Sequence, residues 1–300
     1  MRITDMTLSD QLSGDLESQQ ATITNLDEEL SSGQALQEPS DNPVAVADSL
    51  GYSRQIAQAT AAQSNATTAQ SWLGIGNQTA NQVIDTLQSV NTTVLQALNS
   101  GSNNAETYSD MAQQVQGEIS QLVGLANTQY GSTPIFAGTA GVSQPFSSTG
   151  TYSGNSQPFT ISVGTTEPVA VSVPGDQLFG GGSSGVQSVF TTLQNIVTHL
   201  QQGPGSASYA SLQSDIAALG TNLTQAESAA TTLGESTQEV SAASTAAQDT
   251  STQLQKVLSA TESTDVPTVT AALQSDLTTY QAALYAVSQT VPESLAQFLK

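Results

Sequence analysis

The sequence lacks cysteine and is poor in large and charged side chains. With no cysteine in 300 residues, neither a disulfide framework nor a thiolate zinc site can form. Aromatic residues make up only 5% and charged residues only 10% of the chain, which is little for a thick globular core. Thin helical layers, in which Ala and Leu pack closely while Gln and Thr face water, need fewer large side chains.

Positive charge is scarce. The basic residues are Arg2, Arg54, Lys256 and Lys300, against 25 acidic residues, and the formal net charge is −21. Four scattered cations do not neutralise a phosphate backbone, so we expect no nucleic-acid partner and no membrane partner.

Long apolar runs are also missing. No stretch of about 18 apolar residues occurs, as a membrane-spanning helix would need. The N-terminal segment, MRITDMTLSDQL, has no apolar stretch of the length found in secretory signal peptides. We therefore expect either a cytoplasmic protein or one exported without a cleaved signal peptide.

Helical periodicity is what the sequence does contain. Apolar residues three, four or seven positions apart predict an N-terminal helix that ends at Gly33; they are Leu8, Leu12, Leu16, Ile23, Leu26 and Leu30. The turn Pro39-Ser40-Asp41-Asn42-Pro43 then forbids a continuing helix. Further helices are predicted over about 44–99, 106–130, 186–200 and 208–259.

The C-terminal segment has the most regular pattern in the chain. Its apolar residues recur every three or four positions, which predicts an amphipathic helix: Val266, Val269, Leu273, Leu277, Tyr280, Leu284, Val287 and Val291, continued by Leu295 and Phe298.

The central segment 131–182 has a different character. Short β-branched runs with period two, Phe159–Val163 and Val169–Val173, lie between Gly, Pro and Asn turns and predict a small β-rich insertion. The predicted fold class is mainly α: an elongated bundle of long helices with coiled-coil-like terminal helices and an inserted β-domain. We divide it into an inner domain of 1–40 and 265–300, a rod of 41–130 and 183–264, and an outer insertion of 131–182.

The two terminal stripes suggest a subunit interface. Each stripe is wider than one partner helix would cover, so we expect neighbouring subunits to complete them. An ordinary antiparallel bundle is the alternative. The predicted interface consists of Leu12, Leu16, Ile23, Leu26, Leu30, Val266, Val269, Leu273, Leu277, Tyr280, Leu284, Val287, Val291, Leu295 and Phe298.

Three features could be mistaken for sites of chemistry. His199, the only histidine, has no Ser and Asp partners that spacing can name, so it is no triad candidate. The segment Gly180–Gly185 has no lysine after it, unlike a phosphate loop. Asp27, Glu28 and Glu29 point in different directions on a helix and predict a solvated face. We expect no enzyme, no cofactor and no metal.

Two motifs resemble the flagellin superfamily, and within it the type 3 hook-associated proteins, which join hook to filament. The first is Leu30-Ser31-Ser32-Gly33 followed by the turn Pro39–Pro43. The second is Ile135–Thr139 followed by Gln144-Pro145-Phe146, similar to the pattern at the start of that family's insertion. The chain departs from the family at Gln34, where a basic residue is common, and at Asn42, where an acidic one is usual.

The resemblance implies a partner set. The family's subunits pass unfolded through the type III export channel of the flagellum and join a short helical ring with copies of themselves. Their neighbours are the adjacent hook-associated junction protein and the filament flagellin, and an export chaperone accompanies them. This implies an extracellular location in the bacterial flagellum, with the terminal helices lining the inner tube and the insertion outside.

Two other functions stay open at this point. A filament flagellin would share the terminal helices, although its sequence after the Leu-Ser-Ser-Gly element is usually richer in Ala and Asp. A secreted adhesin or enzyme would use the insertion as its active part, which is small for such a task.

Overall fold

The computed structural model describes residues 5–40, 42–99, 104–165, 167–181 and 186–298, and the side chains of 5–9, 206 and 289–298 lie outside the described part. The described chain is mainly helical, which confirms the predicted fold class. Its helices are α1 (Asp5–Ser32), α2 (Pro43–Asn99), α3 (Ala105–Ala126), α4 (Gly175–Leu178), α5 (Val189–Gln201), α6 (Ser206–Glu262) and α7 (Val266–Phe298).

The chain divides into two compact units. Unit 1 comprises Met1–Ala57 with Ser251–Lys300, and unit 2 comprises Gln58–Thr250. In unit 1, α1 packs against α7. The three-part division made from the sequence stays a prediction.

Long helices form the body of unit 2. In α2, Ser89 donates a hydrogen bond to Glu118 of α3 at 2.7 Å, and Asn77 donates one to Thr237 of α6 at 3.1 Å. The apolar stripes of these helices are fully buried and include many alanines, which lets the backbones approach closely: Ala66, Ala69, Leu73, Ala80, Val83, Leu87, Val90, Val94, Val115, Leu122, Leu219, Ala226 and Leu233. A core of this kind suits a chain with few aromatic residues.

The insertion has an aromatic core and little regular structure. Phe146 contacts the ring of Phe179 at 5.0 Å and that of Phe190 at 5.5 Å between centroids. Within the described residues, four strands form two antiparallel pairs: β1 (Gln129–Tyr130) with β2 (Thr133–Pro134), and β3 (Thr160–Ile161) with β4 (Val169–Ala170). The aromatic rings therefore pack the insertion against α5.

The strand lengths and several helix boundaries differ from the predictions; α6, for example, extends two residues before and three residues after the predicted 208–259. The runs 159–163 and 169–173 pair over only two residues each. Beyond them the N–H of Val171 still donates to the carbonyl of Phe159 at 2.8 Å, but the N–H of Phe159 donates to the hydroxyl of Ser172 at 2.9 Å, which ends the ladder. Helix α5 begins at Val189, three residues after the predicted start at Val186.

Helix α3 ends at Ala126, so the predicted extension to Tyr130 is wrong. The reason is Asn127, whose side chain donates to the carbonyl of Phe146 at 2.9 Å and accepts from its N–H at 3.0 Å. These two hydrogen bonds fix the backbone after Ala126 in a non-helical path that leads into β1.

Candidate assembly surface

The α1 stripe of unit 1 is only partly covered. Helix α1 packs against α7, and all five of its predicted interface residues with described side chains are half-buried: Leu12, Leu16, Ile23, Leu26 and Leu30. Opposite-facing residues such as Glu17 and Glu28 are exposed. The helix therefore has one apolar side that α7 shields in part.

The α7 stripe is covered unevenly. Val269 is buried, whereas Leu273, Tyr280 and Val287 are half-buried. Val266, Leu277 and Leu284 are exposed at 50%, 41% and 44%. Val291, Leu295 and Phe298 belong to the same prediction but lie outside the described side chains.

Exposed large apolar side chains at regular helical spacing are costly in water. Leu277 and Leu284 are seven residues apart, so they lie on one line of α7. Burial of one such side chain contributes roughly 1.5–3 kcal/mol. A surface of this kind is typical of a protein that covers it by association.

Backbone hydrogen bonds among Gly33, Ala35, Glu262 and Thr264, which we call the clasp, join the ends of α1 and α6 to the start of α7. Gly33, at φ 70°, donates to the carbonyl of Glu29 at 2.9 Å and so caps α1 as predicted. The N–H of Ala35 donates to the carbonyl of Glu262 at 2.7 Å, and the N–H of Thr264 donates to the carbonyl of Gly33 at 3.1 Å. The clasp fixes where the two terminal helices meet.

Side-chain hydroxyls reinforce the clasp. Thr264 donates to the carboxylate of Glu29, and Ser49 donates to the carboxylate of Glu262. Glu29 is thus not part of a purely solvated face, whereas Asp27 and Glu28 are exposed as predicted.

The turn after the clasp starts α2. Asn42 accepts a hydrogen bond from the N–H of Ala45 through its side chain at 3.1 Å, which is the contact of a helix N-cap. Pro43 occupies the first helical position, where a missing N–H costs nothing. Pro39 and Ser40 precede it in a turn, and Asp41 lies outside the described residues.

Two exposed apolar residues of α2 lie outside the predicted interface. Val44 and Leu50, in the helix predicted over about 44–99, are 71% and 60% exposed. In the sequence these two residues follow the turn directly, at a position where no segment could be assigned to cover them. Tyr285 of α7 also lies outside the predicted interface and is 69% exposed.

His199 pairs with an acid in unit 2. Its Nδ1 lies 2.6 Å from Oδ2 of Asp215, which links α5 to α6. In the described residues, no group of three His, Cys, Asp or Glu side chains could hold a metal ion.

No helix among the described residues has the length and hydrophobicity that crossing a membrane requires.

Known proteins share both sequence and fold with this chain. Residues 3–141 match the family model for the bacterial flagellin N-terminal helical region. Flagellar hook-associated protein 3 of Salmonella typhimurium is 26% identical over 213 residues, which cover 67% of each chain. The protein of the same name from Escherichia coli K12 is 28% identical over 214 residues, which cover 69% of this chain and 63% of that one. The chain is thus similar in sequence to flagellar hook-associated protein 3 over about two thirds of its length.

Solved structures agree with that relationship at the level of the fold. FlgL of Xanthomonas campestris superposes with a TM-score of 0.61 at 17% identity, over 69% of this chain and 99% of that one. The flagellar junction protein FlgL of Legionella pneumophila gives a TM-score of 0.59 at 17% identity, over 73% and 100%. The resemblance to hook-associated protein 3 inferred from the two motifs is confirmed.

Proposed function

We propose that this chain is a structural subunit of the bacterial flagellum that joins hook to filament by helical self-assembly through its terminal helices. The observation that carries the proposal is the line of exposed apolar residues on α7, Leu277 and Leu284, beside the half-buried stripe of α1. Both curated relatives named above are flagellar hook-associated proteins 3. The role is structural and not enzymatic.

The partners follow from that role. The chain forms a ring with its own copies, contacts an adjacent hook-associated protein and receives filament flagellin. An export chaperone holds it before transit. The acidic net charge of −21 supports solubility of the unassembled subunit. The subunit reaches the outside of the cell through the flagellar export channel without a cleaved signal peptide.

Replacement of the exposed α7 residues tests the proposal. The double variant Leu277→Ser/Leu284→Ser removes apolar surface that the isolated subunit leaves in water. Both leucines are already more than half covered and Ser is a weaker helix former than Leu, so we expect the variant to lose about 1–3 kcal/mol of stability while remaining folded. In cells that carry only this variant, we expect the subunit in the medium and hooks without filaments.

A matched control lies on the same helix. Gln281 is exposed between the two leucines, and Gln281→Ser should leave filaments and motility at the wild-type level. Normal filaments in the double variant, at normal subunit levels, would refute assembly through this surface. Long filaments grown from the purified wild-type protein alone would instead support the filament-flagellin alternative.

A further inference from the structure

The start of α2 carries an exposed patch that the proposed interface does not use. We call Val44, Ala47, Leu50 and Arg54 the α2 patch. Their spacing of three, three and four residues places them on one side of the helix, and all four are exposed. Three solvent-exposed apolar side chains thus form a row along the helix. The row ends at Arg54, one of only four basic residues of the chain.

The outer side of α1 carries a complementary surface. Asp10, Glu17 and Glu28 are separated by seven and eleven residues, so at about 100° per residue they lie on one line. We call this the acidic line. It lies opposite the Leu12–Leu30 stripe, all three acids are exposed, and α1 contains no basic residue.

Small residues fill the acidic line between its carboxylates. Gly14 and Ala21 lie within about 40° of Asp10 on the helical wheel, and both are exposed. A Cβ added to Gly14 would meet no atom within 4 Å. The line therefore offers two shallow depressions in which large apolar side chains of another helix could sit.

The spacing of the two surfaces agrees in an antiparallel arrangement. From Val44 to Leu50 the rise along α2 is about 9 Å, and from Ala21 to Gly14 the rise along α1 is about 10.5 Å. From Val44 to Arg54 it is about 15 Å, and from Ala21 to Asp10 about 16.5 Å. With Val44 at Ala21 and Leu50 at Gly14, the guanidinium of Arg54 reaches Asp10.

We propose that the α2 patch of one copy docks on the acidic line of α1 in a second copy, with Arg54 paired to Asp10. The inference rests on the proposed function, because it describes one contact of the same assembly. The charges identify the partner surface. The cation of Arg54, at the end of the apolar row, is complementary to the carboxylates on the outer side of α1. The contact joins two different surfaces, so it repeats from copy to copy in a ring or helix rather than closing as a dimer.

Cysteine cross-linking tests the register of this contact. The chain has no native cysteine, so every disulfide reports an engineered pair. Two singly substituted chains with different tags, Leu50→Cys and Gly14→Cys, are co-expressed in cells lacking the wild-type gene, and the isolated flagella are mildly oxidised. We expect a disulfide-linked dimer that carries both tags. Leu50→Cys paired with Asp249→Cys, an exposed position in unit 2, should give none.

A charge exchange tests the pairing. Arg54→Glu should lower incorporation into flagella about tenfold, the factor that 1.4 kcal/mol of interfacial pairing represents. Adding Asp10→Lys to that variant should restore most of the loss. Both residues are exposed, so thermal unfolding of the purified variants should match wild type.

The outcomes separate this contact from the proposed function. Mixed-tag dimers together with rescue by the charge exchange would support the contact. Normal incorporation of Arg54→Glu, or no mixed-tag dimer in flagella that contain both chains, would overturn the contact and leave the junction role intact. Normal filaments in cells with no copy of the gene would overturn the junction role and the contact together.

Discussion

Gly150 lies at the point of the insertion where a side chain is least tolerable. Its φ is 79°, in the left-handed region that side chains disfavour by about 1–2 kcal/mol. A Cβ at this position would lie 2.1 Å from Cγ of Phe190. The ring of Phe190 packs in turn against Phe146 and Phe179 at 5.5 and 5.6 Å. The substitution Gly150→Ala therefore presses directly on the aromatic core.

The expected cost of Gly150→Ala follows from these two effects. Overpacking of a core costs about 1–3 kcal/mol, which with the backbone term gives a total of about 2–5 kcal/mol. For a unit of this size each kcal/mol lowers the midpoint by about 2–4 °C. We expect unit 2 to melt roughly 4–20 °C below wild type.

The fluorescence of Trp72 provides the assay, with a matched control. Trp72 is the only tryptophan, belongs to unit 2 and stacks on Phe159 at 5.1 Å. Gly220→Ala makes the same chemical change in the interior of α6, where the new Cβ meets no atom within 4 Å. It should raise stability by up to about 1 kcal/mol. A midpoint for Gly150→Ala at or above that of wild type would refute this view of the insertion core.

Three further predictions concern unit 2. Burial raises the pKa of both Tyr108 and Tyr152 from 10.0 to about 12. Because these pKa values rise on folding, the stabilisation is complete below pH 10 and is lost toward pH 12; a folded protein in which all seven tyrosines ionise together near pH 10, followed by absorbance at 295 nm, would contradict it. Tyr108→Phe removes a buried hydrogen bond of 2.8 Å to the carbonyl of Ala97 and should cost about 1–2 kcal/mol in urea unfolding, whereas an unchanged midpoint would show that this bond does not contribute. Phe159→Ala uncovers one face of Trp72 and should shift its emission to longer wavelength; an unshifted spectrum would mean that the stack is absent in solution.

The helices were predictable because their signals are local. Helix α7 was predicted from Val266 onward and begins at that residue, since its apolar residues recur at a constant spacing. The end of α1 followed from Gly33, whose freedom at positive φ suits a C-cap. The start of α2 was predicted at about residue 44, directly after the proline turn, and lies one residue earlier at Pro43, which fits the first turn of a helix and no later one.

The insertion and the α2 patch were less predictable because their determinants are distant in sequence. Asn127 ends α3 through hydrogen bonds to a residue 19 positions away, which no local pattern reveals. Leu50 belongs to an apolar pattern that continues along α2, yet it is 60% exposed, because periodicity defines a helix face without showing whether another element covers it.

Electron microscopy of cells that lack this gene tests the junction role most directly. If the chain joins hook to filament, such cells carry hooks that end without filaments, and flagellin accumulates in the medium. Reintroduction of the wild-type gene should then restore filaments, whereas the Leu277→Ser/Leu284→Ser variant should not. Hooks with filaments of normal length in the deletion strain would contradict the proposed function.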